Sequence, residues 1–204
     1  YSYMYNYFLG QTRYEMLTQE LEQNYYEIIE SIKKYGGFFI GRYETGGLKE
    51  KAVVRKMDTN IGSHNWYEMY KKCLELKSEN NNVKTSMMYG SLWDEMIQWL
   101  LESKATISDG TELTYQLLQD ATTWGNYNNS TFKYIAFDME IPIENETMNK
   151  KDYKAIPTGS TDYTRVNNIY DVSGNWSEWT TEATYAYARV CRGGDYYDSG
   201  GKFT

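Results

Sequence analysis

The apolar residues of this chain keep a helical spacing in its first half and lose it in the second. From Tyr14 to Lys34, apolar positions recur every three or four residues and acidic residues occupy the other face. This pattern predicts an amphipathic helix. The pair Gly36-Gly37 follows at once, and glycine is typical of a helix end because it tolerates the left-handed backbone there.

Two more stripes predict two more helices. The first stripe consists of Trp66, Met69, Tyr70, Cys73 and Leu74. It places Cys73 on an apolar face, where a buried thiol packs as a small hydrophobe. The other covers Ser91–Leu101, where Ser91-Leu92-Trp93-Asp94 resembles a capping box. Its predicted core face consists of Trp93, Met96, Ile97, Leu100 and Leu101.

The rest of the chain favours strands and loops. Phe38–Glu44 and Ala52–Lys56 are predicted to form a hairpin across the turn Gly46-Gly47. From residue 103 to residue 167 the sequence is rich in Asp, Asn, Thr, Gly and Ser with little periodicity, which predicts long loops with short strands. Helices followed by loop-rich β structure indicate an α+β fold.

Charge and composition exclude several classes of partner and site. The net charge is -7 and the basic residues are scattered, so no surface concentrates the positive potential that nucleic acid requires. No apolar run approaches the roughly 20 residues of a membrane span, so we expect no membrane insertion. Two cysteines and one histidine fit neither a disulfide framework nor a zinc cluster, although a single Cys73–Cys191 bridge is an open alternative.

Three motifs occur in a fixed order along the chain. They are GFFIGRYE at Gly37–Glu44, NIYDVSGNWSEW at Asn168–Trp179, and RVCRGG at Arg189–Gly194. Together they resemble the formylglycine-generating enzyme (sulfatase-modifying factor) family. The resemblance implies a C-type-lectin-like fold over residues 36–204, with two to three helices and a twisted, loop-rich antiparallel sheet. An N-terminal helical segment over residues 1–35 is expected to precede it.

The family resemblance also implies roles for the motif residues. The expected structural frame consists of Gly174, Asn175, Trp179, Arg192, Gly193 and Gly194. Family members continue beyond the R-G-G segment with a closing strand. We therefore expect the domain to be C-terminally incomplete at Thr204, with more chain following in the natural protein.

The same resemblance predicts that this chain is not an enzyme. Oxidases of the family carry two copper-binding cysteines at the positions that Asp198 and Phe203 occupy here, and neither side chain replaces the soft sulfur ligands that Cu(I) requires. A related branch uses three histidines to bind iron, whereas this chain has only His64. We expect no catalytic residue and no cofactor; the enzyme alternative is an oxidase with relocated ligands, Cys73 and Cys191.

A structural calcium ion is a separate alternative. In some family members the segment that corresponds to Gly174–Glu178 binds calcium through backbone carbonyls and a Glu carboxylate, which would here place the site at Asn175 and Glu178. The competing interpretation is that both residues only brace the turn. The sequence leaves the two open.

The non-catalytic branch of the family resembles the variable proteins of diversity-generating retroelements and phage tail proteins, which bind receptors through residues after R-G-G. The ligand-binding residues that this implies are Asp195, Tyr196, Tyr197, Asp198, Ser199, Lys202 and Phe203. From Asp195 to Gly201 the loop contains only Asp, Tyr, Ser and Gly. Each of these residues is reached from an asparagine codon by changing adenines, the substitution that such retroelements make.

These features predict a receptor-binding domain. The expected partner is a cell-surface protein or glycan, and the expected location is a virion or the cell surface, with homo-oligomers an open alternative. Tyrosines offer large contact area at low entropic cost. A rival interpretation is a structural decoration domain of a virion, in which the loop packs against a neighbouring copy.

Overall fold

The longest helix lies at the start of the described chain. A computed structural model describes residues 11–48, 51–59, 64–76, 82–138, 141–185 and 188–201, and α1 covers Gln11–Tyr35. Gly36 follows with φ +80°, and its amide donates to the Ile32 carbonyl at 2.8 Å. The predicted helix and its glycine end are confirmed.

The second predicted helix is also present, as α2 over Trp66–Glu75. Its first turn is held by a capping box in which Asn65 accepts from the Glu68 amide and Glu68 accepts from the Asn65 amide. Cys73 packs against the Trp66 and Tyr70 cluster as predicted. Burial raises the pKa of the Cys73 thiol to about 11.

Helix α3 covers Gly90–Glu102. Trp93, Met96 and Leu100 are buried, so the predicted core face is confirmed. The predicted capping box is wrong, because the helix already begins at Gly90 and Ser91 therefore lies inside its first turn.

The first predicted hairpin is only partly present. The segment predicted as a strand over Phe38–Glu44 has no strand structure, and Phe39 is fully exposed, so this apolar run has no core face to bury. Instead β1 covers Gly46–Leu48 and pairs antiparallel with β2 over Lys51–Val53. The glycine pair predicted as the turn is thus part of a strand, where a Cβ on Gly46 would lie 2.7 Å from the Thr59 carbonyl oxygen.

The region predicted as loops with short strands contains a longer hairpin and a short helix. Helix α4 covers Tyr115–Gln119. Strand β3 covers Phe132–Asp138 and pairs antiparallel with β4 over Ile141–Met148. Seven of the eight β4 residues are exposed, which explains why its sequence lacks the apolar alternation of a half-buried strand.

The remaining strands are β5 over Arg165–Val166, β6 over Ile169–Tyr170, β7 over Glu178–Tyr185 and β8 over Ala188–Arg192. Within the described ranges the strands form four two-stranded sheets, so the predicted α+β class is confirmed. Cys191 lies in β8, and both cysteines are free thiols. None of the described helices combines the length and apolar character that a transmembrane span requires.

The chain divides into two compact units. The first joins residues 1–40, 63–90 and 179–190, and its core includes Leu17 of α1, Trp66 and Tyr70 of α2, and Met87. The second joins residues 41–62, 91–178 and 191–204 and holds α3, α4 and the β3–β4 hairpin. The predicted domain boundary after residue 35 stays a prediction.

Candidate functional site

The segment predicted to bind a ligand begins directly after two glycines that end β8. Gly193 and Gly194 have φ of +82° and +70°, a region that side chains rarely adopt. A Cβ on Gly193 would also lie 2.3 Å from Oε2 of Glu178. Both glycines therefore direct the chain into the loop 195–201, here called the recognition loop.

The recognition loop is closed by its own aspartates. Oδ1 of Asp195 accepts from the Tyr197 amide at 2.8 Å, and Oδ2 of Asp198 accepts from the Asp195 amide at 3.2 Å. The Asp198 amide in turn donates to the Asp195 carbonyl at 2.9 Å. Each carboxylate thus uses one oxygen inside the loop, whereas the sequence had assigned both aspartates to ligand contacts.

A second segment, residues 121–129, supports the loop from outside. The Asn128 amide donates to the Asp198 carbonyl at 3.0 Å, and the Ala121 amide donates to the Gly200 carbonyl at 2.9 Å. Oδ1 of Asn129 accepts from the Gly200 amide at 3.1 Å. These contacts reach the main chain of the loop, so they do not depend on which side chains the loop carries.

Sequence reasoning missed this support. The local signal for a turn was the group of asparagines in Gly125-Asn126-Tyr127-Asn128-Asn129, because an asparagine side chain often hydrogen-bonds to the nearby backbone in turns. Nothing in that run identifies a partner some 70 positions away.

Asn175 connects the loop to the rest of the second unit. Its side chain is fully buried and its backbone has φ +67°. Its Nδ2 donates to Oε2 of Glu44 at 2.8 Å and to the Ile156 carbonyl at 3.2 Å. Its Oδ1 accepts from the Ile156 amide at 2.8 Å and from Nδ2 of Asn126 at 3.0 Å, while its carbonyl accepts from the Tyr196 amide at 3.1 Å.

These bonds bear on the calcium alternative. Oδ1 of Asn175 already accepts two hydrogen bonds, which uses the two lone pairs of an amide oxygen. The side chain therefore does not fit a calcium ligand without breaking them. Within the described residues, no group of three or more His, Cys, Asp or Glu side chains is placed to hold a metal ion.

Glu178 has a different environment. Its Oε2 is buried and has no hydrogen-bond partner in the part of the chain that the structure describes, and it faces the Cα of Gly193. Burial and the nearby charges of Glu44 and Asp171 raise the pKa of Glu178 well above its ordinary value. The protonated form is therefore the one that this site favours.

Four aromatic side chains form a continuous row at the loop. The rings of Trp176 and Tyr196 meet edge to face at 5.2 Å, those of Tyr196 and Tyr197 lie 4.5 Å apart, and Tyr197 stacks on Tyr153 at 5.6 Å. Trp176, Tyr197 and Tyr153 are 38%, 59% and 44% exposed. We call these four residues the aromatic row; the sequence had identified only its two loop tyrosines.

The other residues predicted for the ligand site and the structural frame lie in different environments. Ser199 is partly buried within the loop, and Arg192 forms an ion pair with Asp94 at 3.8 Å. Gly174 has φ +75° and approaches Asn126 so closely that a Cβ would lie 2.4 Å from its carbonyl oxygen. Trp179 packs against the core of the first unit. Lys202 and Phe203 lie outside the described residues.

Comparison of the chain with protein-family models, with curated proteins and with solved structures finds no match in any of the three. The family resemblance therefore stays a prediction, and the geometry of the loop carries the functional argument.

The two glycines at the end of the loop give a matched test of the support by residues 121–129. A Cβ on Gly200 would lie 2.6 Å from the Thr122 backbone nitrogen, whereas one on Gly201 would meet nothing within 4 Å. Gly200→Ala should lower the free energy of unfolding by about 1–3 kcal/mol, and Gly201→Ala should change it by less than about 0.5 kcal/mol. Urea denaturation of both variants checks this, and equal effects would contradict the close packing of Gly200.

The buried carboxyl of Glu178 should make stability depend on pH. Because its folded pKa is raised, its contribution is fully present below the ordinary glutamate pKa and is lost as the pH rises through the folded pKa. Glu178→Gln removes this titration, so the variant should gain stability relative to the wild type between pH 5 and pH 8. Urea denaturation across that range measures the difference, with the exposed Glu112→Gln as control. A variant that is less stable than the wild type at pH 8 would instead favour a bound cation.

Proposed function

We propose that the protein is a non-enzymatic receptor-binding domain whose contact surface is the aromatic row. The observation that carries this proposal is the exposure of Trp176, Tyr197 and Tyr153, three of the four rings of the aromatic row, at a loop whose main chain is held from two sides. Tyrosine and tryptophan dominate binding hot spots. A loop that is already ordered also loses little conformational entropy on binding.

The finer assignment of the fold is part of the same proposal. We assign the chain to the C-type-lectin-like fold because the three motifs occur in the order found in the formylglycine-generating enzyme family. Support comes from Gly174, Asn175 and Gly193, whose positive φ angles suit residues that such a frame would require.

The alternative of a copper oxidase with relocated ligands has little support. Such a site requires thiolates, and burial raises the pKa of Cys73 to about 11. Desolvation and the nearby Asp195 charge raise the pKa of Cys191 to about 11 as well. Neither environment favours the thiolate form by itself.

The partner that fits this row is a macromolecular surface, either a cell-surface protein or a glycan, encountered from a virion or another cell surface. The exposed rings supply apolar contact area, and their polar tips supply hydrogen bonds to the same partner. The aspartates contribute mainly to the shape of the loop, since each commits one oxygen to it.

Diversification of the loop is consistent with how it is held. The contacts from Asn175 and from residues 121–129 reach main-chain atoms of residues 196, 198 and 200. Side chains at positions 196, 197 and 199 can therefore change without removing a support. Positions 195 and 198 are constrained by their carboxylates, and position 200 by packing.

Binding should depend on the loop tyrosines. The double variant Tyr196→Ala/Tyr197→Ala removes the centre of the row, and we expect it to abolish binding of the labelled protein to a panel of bacterial cells measured by flow cytometry. Tyr115→Ala, which removes a 65% exposed tyrosine elsewhere, is the matched control and should bind normally. Undiminished binding by the double variant would refute the proposed contact surface, and failure of the wild type to bind any cell would favour a structural decoration role.

Deep sequencing of the gene across its source population tests diversification. We expect substitutions at adenines to concentrate in codons 196, 197 and 199, with codons 195, 198 and 200 unchanged. A uniform loop would eliminate diversification and leave a fixed binding surface. Substitutions spread evenly over all six codons would contradict the structural roles assigned to Asp195, Asp198 and Gly200.

A further inference from the structure

Glu44 lies outside the recognition loop but contacts the residues that hold one end of the aromatic row. Its Oε2 accepts from Nδ2 of Asn175 at 2.8 Å, and its Oε1 accepts from the amide of Trp176 at 3.3 Å. One carboxylate thus binds two consecutive residues that lie more than 130 positions later in the chain.

The position of Glu44 is itself defined by a chain of hydrogen bonds. The Glu44 amide donates to Oγ1 of Thr158 at 3.1 Å, and this hydroxyl donates to the buried carboxylate of Asp171 at 2.8 Å. A second hydroxyl, Oγ1 of Thr164, donates to the same carboxylate at 2.6 Å. Glu44 is therefore fixed to the interior of the second unit rather than to the loop.

From Glu44 the contacts continue into the aromatic row along two short paths. Trp176 is itself a member of the row, and Glu44 holds its amide directly. Asn175, the other partner, accepts the amide of Tyr196 at its carbonyl oxygen. The rings of Trp176 and Tyr196 then meet edge to face at 5.2 Å.

We propose that Glu44 is a positioning residue of the binding surface, which sets the mutual orientation of Trp176 and Tyr196 without touching the partner. The expected effect of Glu44 on partner binding rests on the proposed function, whereas its effect on the orientation of Trp176 and Tyr196 does not. A carboxylate suits this task because it accepts from two donors with two oxygens. A glutamine offers one acceptor oxygen, and its amide group would face a donor.

The expected effect of losing Glu44 is local. Asn175 keeps its bonds to Ile156 and Asn126 in the absence of Glu44, so its side chain stays anchored. The Asp198 and Gly200 contacts with residues 121–129 involve no atom of Glu44. Loss of the carboxylate should therefore loosen the Trp176 end of the row and leave the other end of the loop in place.

Hydrogen exchange of individual amides, followed by NMR in the 204-residue chain, tests this without a ligand. In Glu44→Ala the amide of Trp176 should exchange at least about tenfold faster, because it loses a hydrogen bond to a charged group. The amide of Tyr196 keeps its acceptor, the Asn175 carbonyl, and should exchange faster by a smaller factor. The amides of Asp198 and Ala121 should be unchanged. Glu44→Gln, which keeps one acceptor, should give a smaller increase, and Glu112→Ala, which removes an exposed carboxylate of the same unit, should give none.

Two results would overturn the positioning role. Unchanged exchange at Trp176 and Tyr196 would show that the carboxylate does not hold them, and a uniform increase at all four amides would show that Glu44 acts on stability alone. Cell binding by Glu44→Ala separates this inference from the function. If exchange rises at the two amides while binding to cells is unaffected, the positioning role holds and the aromatic row is not the contact surface.

Discussion

The buried amide of Asn175 is the contact on which the candidate binding surface depends. It donates to Glu44 and Ile156 and accepts from Ile156 and Asn126, so its donors and acceptors are paired in a fully buried site. An unpaired buried amide would cost about 1–3 kcal/mol. Asparagine suits the position because its amide supplies both donors and an acceptor, and because it tolerates the positive φ found here better than most residues.

The recognition loop separates the groups that hold it from the groups that it displays. Its supports are main-chain amides and carbonyls of residues 196, 197, 198 and 200, together with one oxygen from each of Asp195 and Asp198. Its tyrosine rings pack mainly on one another and on Trp176 and Tyr153. Because the loop does not rely on burying its rings in a core, they are able to lie at the surface.

Acidic side chains around the loop mostly serve the structure. Asp171 accepts from Thr158, Thr164 and the Gly159 amide in a fully buried site, and burial raises its pKa. Glu44 holds Asn175 and Trp176. Both carboxylates therefore hold neighbouring backbone and side-chain groups in place.

The sequence by itself determined the three longer helices, the packing of Cys73 on an apolar helix face and the place of the recognition loop after Gly193-Gly194. Helices are predicted well from sequence because their hydrogen bonds join residues four positions apart. The period of the apolar residues therefore indicates the helix directly. The α+β class followed from the same change in periodicity. The strand predicted from the apolar run at residues 38–44 was wrong, because composition alone does not show that a strand has a partner or a face to bury.

Only the tertiary structure decided which residues complete the candidate site. Tyr153 and Trp176 join the two loop tyrosines, and Glu44 and residues 121–129 support them, through contacts between segments 20 to 130 positions apart. No local spacing encodes such contacts, since they depend on how the chain packs after its elements have formed. The motifs therefore located the loop, and folding assembled the surface around it.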